Sequence, residues 1–111
     1  MSLCVKKHLN FLCLLCNTHA AQQQALIETA NPEQLRAICE CAYNILHGNI
    51  PVPESTKEEL KAHKQVLRDI ADPKIPYKKK KDTLVQNGGA LWAAMLPLAI
   101  NSVASLINKI T

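Results

Sequence analysis

Apolar residues recur at steps of three and four through most of the chain, and no stretch alternates them with polar residues as a half-buried strand would. The pattern predicts an all-α protein, a small bundle of about five short helices plus an apolar C-terminal helix. The first predicted helix covers 3–16, where Leu3, Val5, Leu9, Phe11, Leu12, Leu14 and Leu15 put apolar atoms on most sides and call for extensive burial. Asn17 and Thr18 offer polar caps ahead of a second helix at 20–29, which is rich in good helix formers.

The third helix, predicted over 32–47, has the fullest local signals. Asn31 stands as N-cap, Pro32 at the first helical position, Gln34 in the capping-box place and Gly48 just past the end. Leu35, Ile38, Cys39, Ala42, Ile45 and Leu46 define its inward face. The connector at 49–53 is extended, because Pro51 and Pro53 each disfavour the helical region for the residue before them. Ser55 and Glu58 repeat the capping-box spacing and predict a helix over 56–71 with the stripe Leu60, Val66, Leu67 and Ile70. After Asp72-Pro73 and Ile75-Pro76 comes a fifth, basic helix at 77–86, expected to end at Asn87-Gly88-Gly89.

Residues 83–108 contain no charge, and 90–100 are almost wholly apolar. A stretch of this kind can be a buried helix, an amphipathic helix or a membrane span; Pro97 kinks it, and Asn101, Ser102 and Ser105 soften its second half. The organisation expected is therefore a helical domain over 1–87, with a basic segment at 57–81, followed by an apolar tail at 88–111 behind a Gly-Gly joint. Leu91, Trp92, Met95, Leu96, Leu98 and Ile100 are the candidate membrane or partner contacts.

Charge sharpens this picture. The net charge of +4 is mild, but Lys61, Lys64, Arg68, Lys74, Lys78, Lys79, Lys80 and Lys81 face only Asp69 and Asp72 within 61–81, which gives that segment +6 and leaves −2 for the rest. These eight cations are the candidate nucleic-acid or anion ligands. They can neutralise phosphates without reading sequence, or attract anionic lipid beside the tail. One Trp, one Phe and two Tyr are too few for a base-stacking platform.

Catalytic and metal chemistry find little support. Cys13 and Cys16 have a zinc-knuckle gap, with His19, Cys39 and Cys41 further on, but the pair sits inside an apolar run and Cys39 and Cys41 would lie about 200° apart on a helix. Core packing of reduced thiols is the expectation, in keeping with five cysteines and no secretory signal peptide, and so with an intracellular protein. His8, His19, His47 and His63 fall in different elements. No phosphate loop, carboxylate pair or His-Glu metal motif is present, so no catalytic residue, metal or cofactor is predicted and the chain is expected not to be an enzyme.

The run Leu84-Val85-Gln86-Asn87-Gly88-Gly89-Ala90-Leu91, followed by Met95-Leu96-Pro97-Leu98, is similar to the C-terminal part of the adenovirus core protein X precursor. More of the chain, from Glu33 onward, resembles a small protein of Maverick/Polinton elements and adintoviruses. Residues 37–42, 44–49 and 78–81 and the Val85-to-Gly89 run carry that likeness. The resemblance implies a minor virion component accompanying double-stranded DNA, in the virion or host nucleus, with cleavage by a viral cysteine protease after Gly89. Gln86 stands where that protease favours Met, Ile or Leu, and the arginine-rich body of the core protein is replaced by a helical domain with a short lysine patch. Four partners stay open at this stage: DNA phosphates or an acidic capsid protein met by the lysines, a membrane surface met by the tail, or a second copy met through the tail in a homo-oligomer.

Overall fold

The computed structural model describes the backbone of residues 3–110 and the side chains of 4–19, 21–87, 91 and 94–102. Its helices are α1 (Leu3–Lys7), α2 (Leu9–Asn17), α3 (Ala20–Glu28), α4 (Pro32–Leu46), α5 (Glu54–Ala62), α6 (Lys64–Ala71) and α7 (Tyr77–Ile110). Among the described residues there is no strand, so the chain is an all-α helical bundle.

Local chemistry sets the ends of α4 as expected. The Asn31 side chain accepts from the Gln34 N–H at 2.8 Å, and the Gln34 side chain accepts from the Asn31 N–H at 3.0 Å, so two otherwise orphaned donors are satisfied reciprocally. At the other end Gly48 takes φ +72°, its N–H donates to the Ile45 carbonyl at 3.3 Å, and the Asn49 N–H reaches back to Asn44 at 2.9 Å. This is a Schellman closure, and its left-handed backbone favours glycine at position 48.

Elsewhere packing overrides the local reading. The helix expected over 3–16 is broken at His8 (φ −104°, ψ 22°), and the one expected over 56–71 is broken at His63 (φ −109°, ψ 20°). The helices on either side of each break are supported differently: α1 packs on α4 but α2 on α7, and α5 packs on α7 whereas α6 packs on both α7 and, more extensively, α4. Asn17 and Thr18 close α2 instead of opening α3. Asn17 Nδ2 donates to the Cys13 carbonyl at 2.8 Å and Thr18 Oγ1 to the Leu15 carbonyl at 3.3 Å, while α3 begins at His19 with no side-chain cap. The Ser55–Glu58 box does not form either: α5 starts from Pro53, whose carbonyl accepts from Thr56 and Lys57 at 3.0 Å, so Ser55 and Glu58 already lie inside the helix.

The largest departure concerns the tail. The helix expected to stop at Asn87 continues through Gly88 and Gly89, so the division drawn between 87 and 88 falls within α7. Two helical glycines cost roughly 2 kcal/mol relative to alanine. Leu84, Leu91, Met95 and Leu96 are all at most 1% exposed, and burying each side chain is worth about 1.5–3 kcal/mol, so burial on both sides of the glycines outweighs their propensity. Helices α2 to α6 all pack on α7, and its buried residues belong to the same core as Leu12, Ile38, Leu67 and Ile70. The helices of residues 9–71 are thus packed around the C-terminal one.

Candidate anion-binding surface

Register along α7 decides which lysines can meet a ligand. At about 100° per residue, stepping back from the buried Leu84 by three, four and seven brings Lys81, Lys80 and Tyr77 to the inner side, whereas Lys78 and Lys79 fall outside. The structure follows this: Lys78 and Lys79 are exposed, Lys81 is half-buried and Lys80 is only 5% exposed.

Lys80 and Lys81 therefore do not belong to an open phosphate-binding face, contrary to the reading of the four lysines as equivalent. The Lys80 ammonium sits over the Tyr77 ring, 5.2 Å from its centroid, in a cation–π arrangement. The Tyr77 hydroxyl in turn accepts from Arg36 Nε at 3.4 Å. The Lys81 ammonium donates to the carbonyls of Glu28 and Ala30, both at 3.1 Å, and so supplies a cation where the C-terminus of α3 is electronegative. Both lysines help seat α7. Arg36 itself, exposed on α4 beside this junction, was not singled out by sequence, because only the tertiary contact with Tyr77 brings it there.

Lys61 is also differently placed from expectation. The break at His63 puts it on α5, in a different helix from Lys64 and Arg68, and its ammonium pairs with Glu58 at 3.3 Å. Lys57 pairs with Glu54 in the same way at 3.4 Å. Such exposed pairs are weak, but they lower the local potential of α5.

What remains is a set of five exposed cations, Lys64, Arg68, Lys74, Lys78 and Lys79, whose side chains make no hydrogen bond or ion pair with described residues. Lys64 and Arg68 are one turn apart on α6. Lys74 stands on the tight link from α6 to α7, where its N–H donates to Asp72 Oδ1 at 2.9 Å and the Ile75 N–H donates to the Asp72 carbonyl at 3.3 Å. Pro73 and Pro76 fix φ on either side, so the link presents Lys74 with little freedom. Lys78 and Lys79 occupy the first turn of α7, which has no acidic residue. Cations at a helix N-terminus oppose the macrodipole and cost a few tenths of a kcal/mol each. Helix stability alone gives no reason for them, whereas the positive end of the dipole adds to their attraction for an anion. Of the acids nearby, Asp69 accepts from Gln65 at 2.9 Å and Asp72 holds the link, whereas Asp82, one turn beyond Lys78 and Lys79 on α7, is exposed.

The apolar contact candidates are placed unequally. Leu91, Met95 and Leu96 are fully buried within the chain, Leu98 and Ile100 are half-buried against the core, and the Trp92 side chain lies outside the described residues. Gly88 and Gly89, the candidate processing site, are helical. Among the described residues no helix is long and apolar enough to cross a membrane, and no group of three or more His, Cys, Asp or Glu could hold a metal. Cys13 and Cys16 are half-buried on α2, Cys39 and Cys41 are buried on α4, and all five thiols are free. No protein family, curated protein sequence or solved structure matches the chain.

Proposed function

We propose that this chain is a non-enzymatic polyanion-binding protein that holds the phosphate backbone of double-stranded DNA through Lys64, Arg68, Lys74, Lys78 and Lys79. The observation that carries the reading is the run of five exposed cations without internal partners, continuous in sequence from α6 through the proline-bounded link into the first turn of α7. Phosphate contacts of this kind position a protein without specifying bases. Tyr77, the aromatic residue within the basic segment, is half-buried and occupied by Arg36 and Lys80. Binding is then insensitive to sequence and favours no exposed base.

In this reading the apolar part of α7 is the mast on which the other helices are hung, and a DNA-associated component of a virus-like element is the setting that the resemblance implies. An acidic capsid surface would draw on the same cations, whereas tail insertion into lipid would first have to extract Leu91, Met95 and Leu96 from the core. The deciding experiment is the salt dependence of binding to a random-sequence duplex. Five phosphate contacts give a slope of log K on log salt of about −4 to −5. The double variant Lys78→Ala/Lys79→Ala should reduce its magnitude by about 2. An affinity that is flat in salt, or unchanged in the double variant, overturns the proposal.

A further inference from the structure

Away from the basic link and the first turn of α7 lies the outer side of α2 and α3. From Leu9 to Ile27 the chain has no Asp, Glu, Lys or Arg. On this side Leu14 is 51% exposed, and it borders an open groove of about 450 Å³ whose other walls are Thr18, Gln22, Ala25, Leu26 and Thr29. The two hydroxyls in the groove are already spent on their own backbone: Thr18 Oγ1 donates to the Leu15 carbonyl at 3.3 Å, and Thr29 Oγ1 to the Ala25 carbonyl at 2.8 Å. An apolar group entering there need not compete with water for those donors.

We propose that two copies of this chain pack on each other through α2 and α3, with Leu14 of each copy seated in the groove of the other. Two features select a second copy as the occupant. A two-fold interface must be complementary to itself, and here an exposed leucine and an open groove lie on one patch. Each copy also carries a net charge of +4. Two such molecules repel least where neither presents charge, and this 19-residue stretch provides such a meeting place. Charge-poor centres with a Gln, Asn and Thr surround match the composition of protein interfaces, while a polyanion gains nothing from an uncharged face. The pairing differs from the tail-mediated one suggested by sequence, since the described apolar side chains of α7 are turned into the core.

The test is the mass of the full chain in solution, followed by light scattering or sedimentation from about 1 µM to about 1 mM. Mass should rise from monomer towards dimer, and association should hold or tighten between about 0.1 and 0.5 M salt as repulsion is screened. Leu14→Glu should weaken association by at least about tenfold with an unchanged helical spectrum, because a charge would enter the apolar groove. Leu14→Met should retain it. Three results overturn the proposal: a monomer throughout the range, which would leave the face to a partner of another sequence; a dimer that dissolves in salt; or a dimer indifferent to Leu14→Glu. None of these bears on DNA binding, whose cations lie elsewhere and whose response to salt has the opposite sign.

Discussion

The Lys81 ammonium lies 3.1 Å from the Ala30 carbonyl oxygen and fastens α7 to the end of α3. A lysine in a basic run is thereby a structural strut. Lys81→Met keeps the aliphatic stem but removes two charge-assisted hydrogen bonds, and should cost about 1–3 kcal/mol in urea unfolding. Its effect on DNA affinity should be much smaller than that of Lys79→Ala. A variant as stable as the parent would show the strut to be idle.

Lys78 and Lys79 should behave in the opposite way. Replacing both by Ala removes two exposed cations from the unfavourable end of α7, so stability should hold or rise by a few tenths of a kcal/mol. Duplex affinity near physiological salt should fall roughly tenfold, read by fluorescence anisotropy. The pair of measurements separates two functions inside four consecutive identical residues. Loss of stability together with binding would mean that the first turn of α7 depends on these lysines.

This division was only partly legible in the sequence. The ends of α4 were readable because Asn31, Gln34 and Gly48 act within a few residues of themselves. The breaks at His8 and His63 were not: α1 rests on α4 and α2 on α7, while α6 adds an extensive contact with α4 to the support on α7 that it shares with α5, and no local pattern encodes such contacts. A run of four lysines carries no periodicity of its own. Its inner and outer members could have been told apart by extending the Leu84, Leu91 and Met95 stripe backwards, but only with a helix running unbroken through Gly88 and Gly89. Taking the glycines for a stop hid both the burial of Lys80 and the central place of the tail.

The buried thiols make stability depend on alkaline pH. Burial pushes the Cys41 thiol up to about 12, and the same cause raises Cys39, Cys16 and Cys4. An unfolded chain releases these protons near about pH 8.5, so the folded state binds more protons between the two values. Stability is full below the unfolded value and falls as pH rises from there towards 12. Urea midpoints between about pH 8 and 10 should decline in the parent and decline less steeply in Cys41→Ala. A thiol alkylating reagent should modify the half-buried Cys13 and Cys16 before Cys41, whose reaction waits on unfolding. A parent curve flat over this range would refute the account.

The peptide bond after Gly89 should resist proteolysis in the folded protein. It lies in helical backbone, two residues from the fully buried Leu91 and five from the buried Leu84, and a protease needs an extended strand that this packing withholds. Leu91→Ala opens a cavity at a cost of about 2–5 kcal/mol. Where cleavage follows the population of the open form, that change should speed cutting in α7 by more than about thirtyfold. Limited proteolysis with mass spectrometry of the fragments reads both results. If the parent is cut after Gly89 as fast as an unstructured peptide of the same sequence, the glycine pair is a true joint, and the burial of Leu91, Met95 and Leu96 is not what holds the two halves of the chain together.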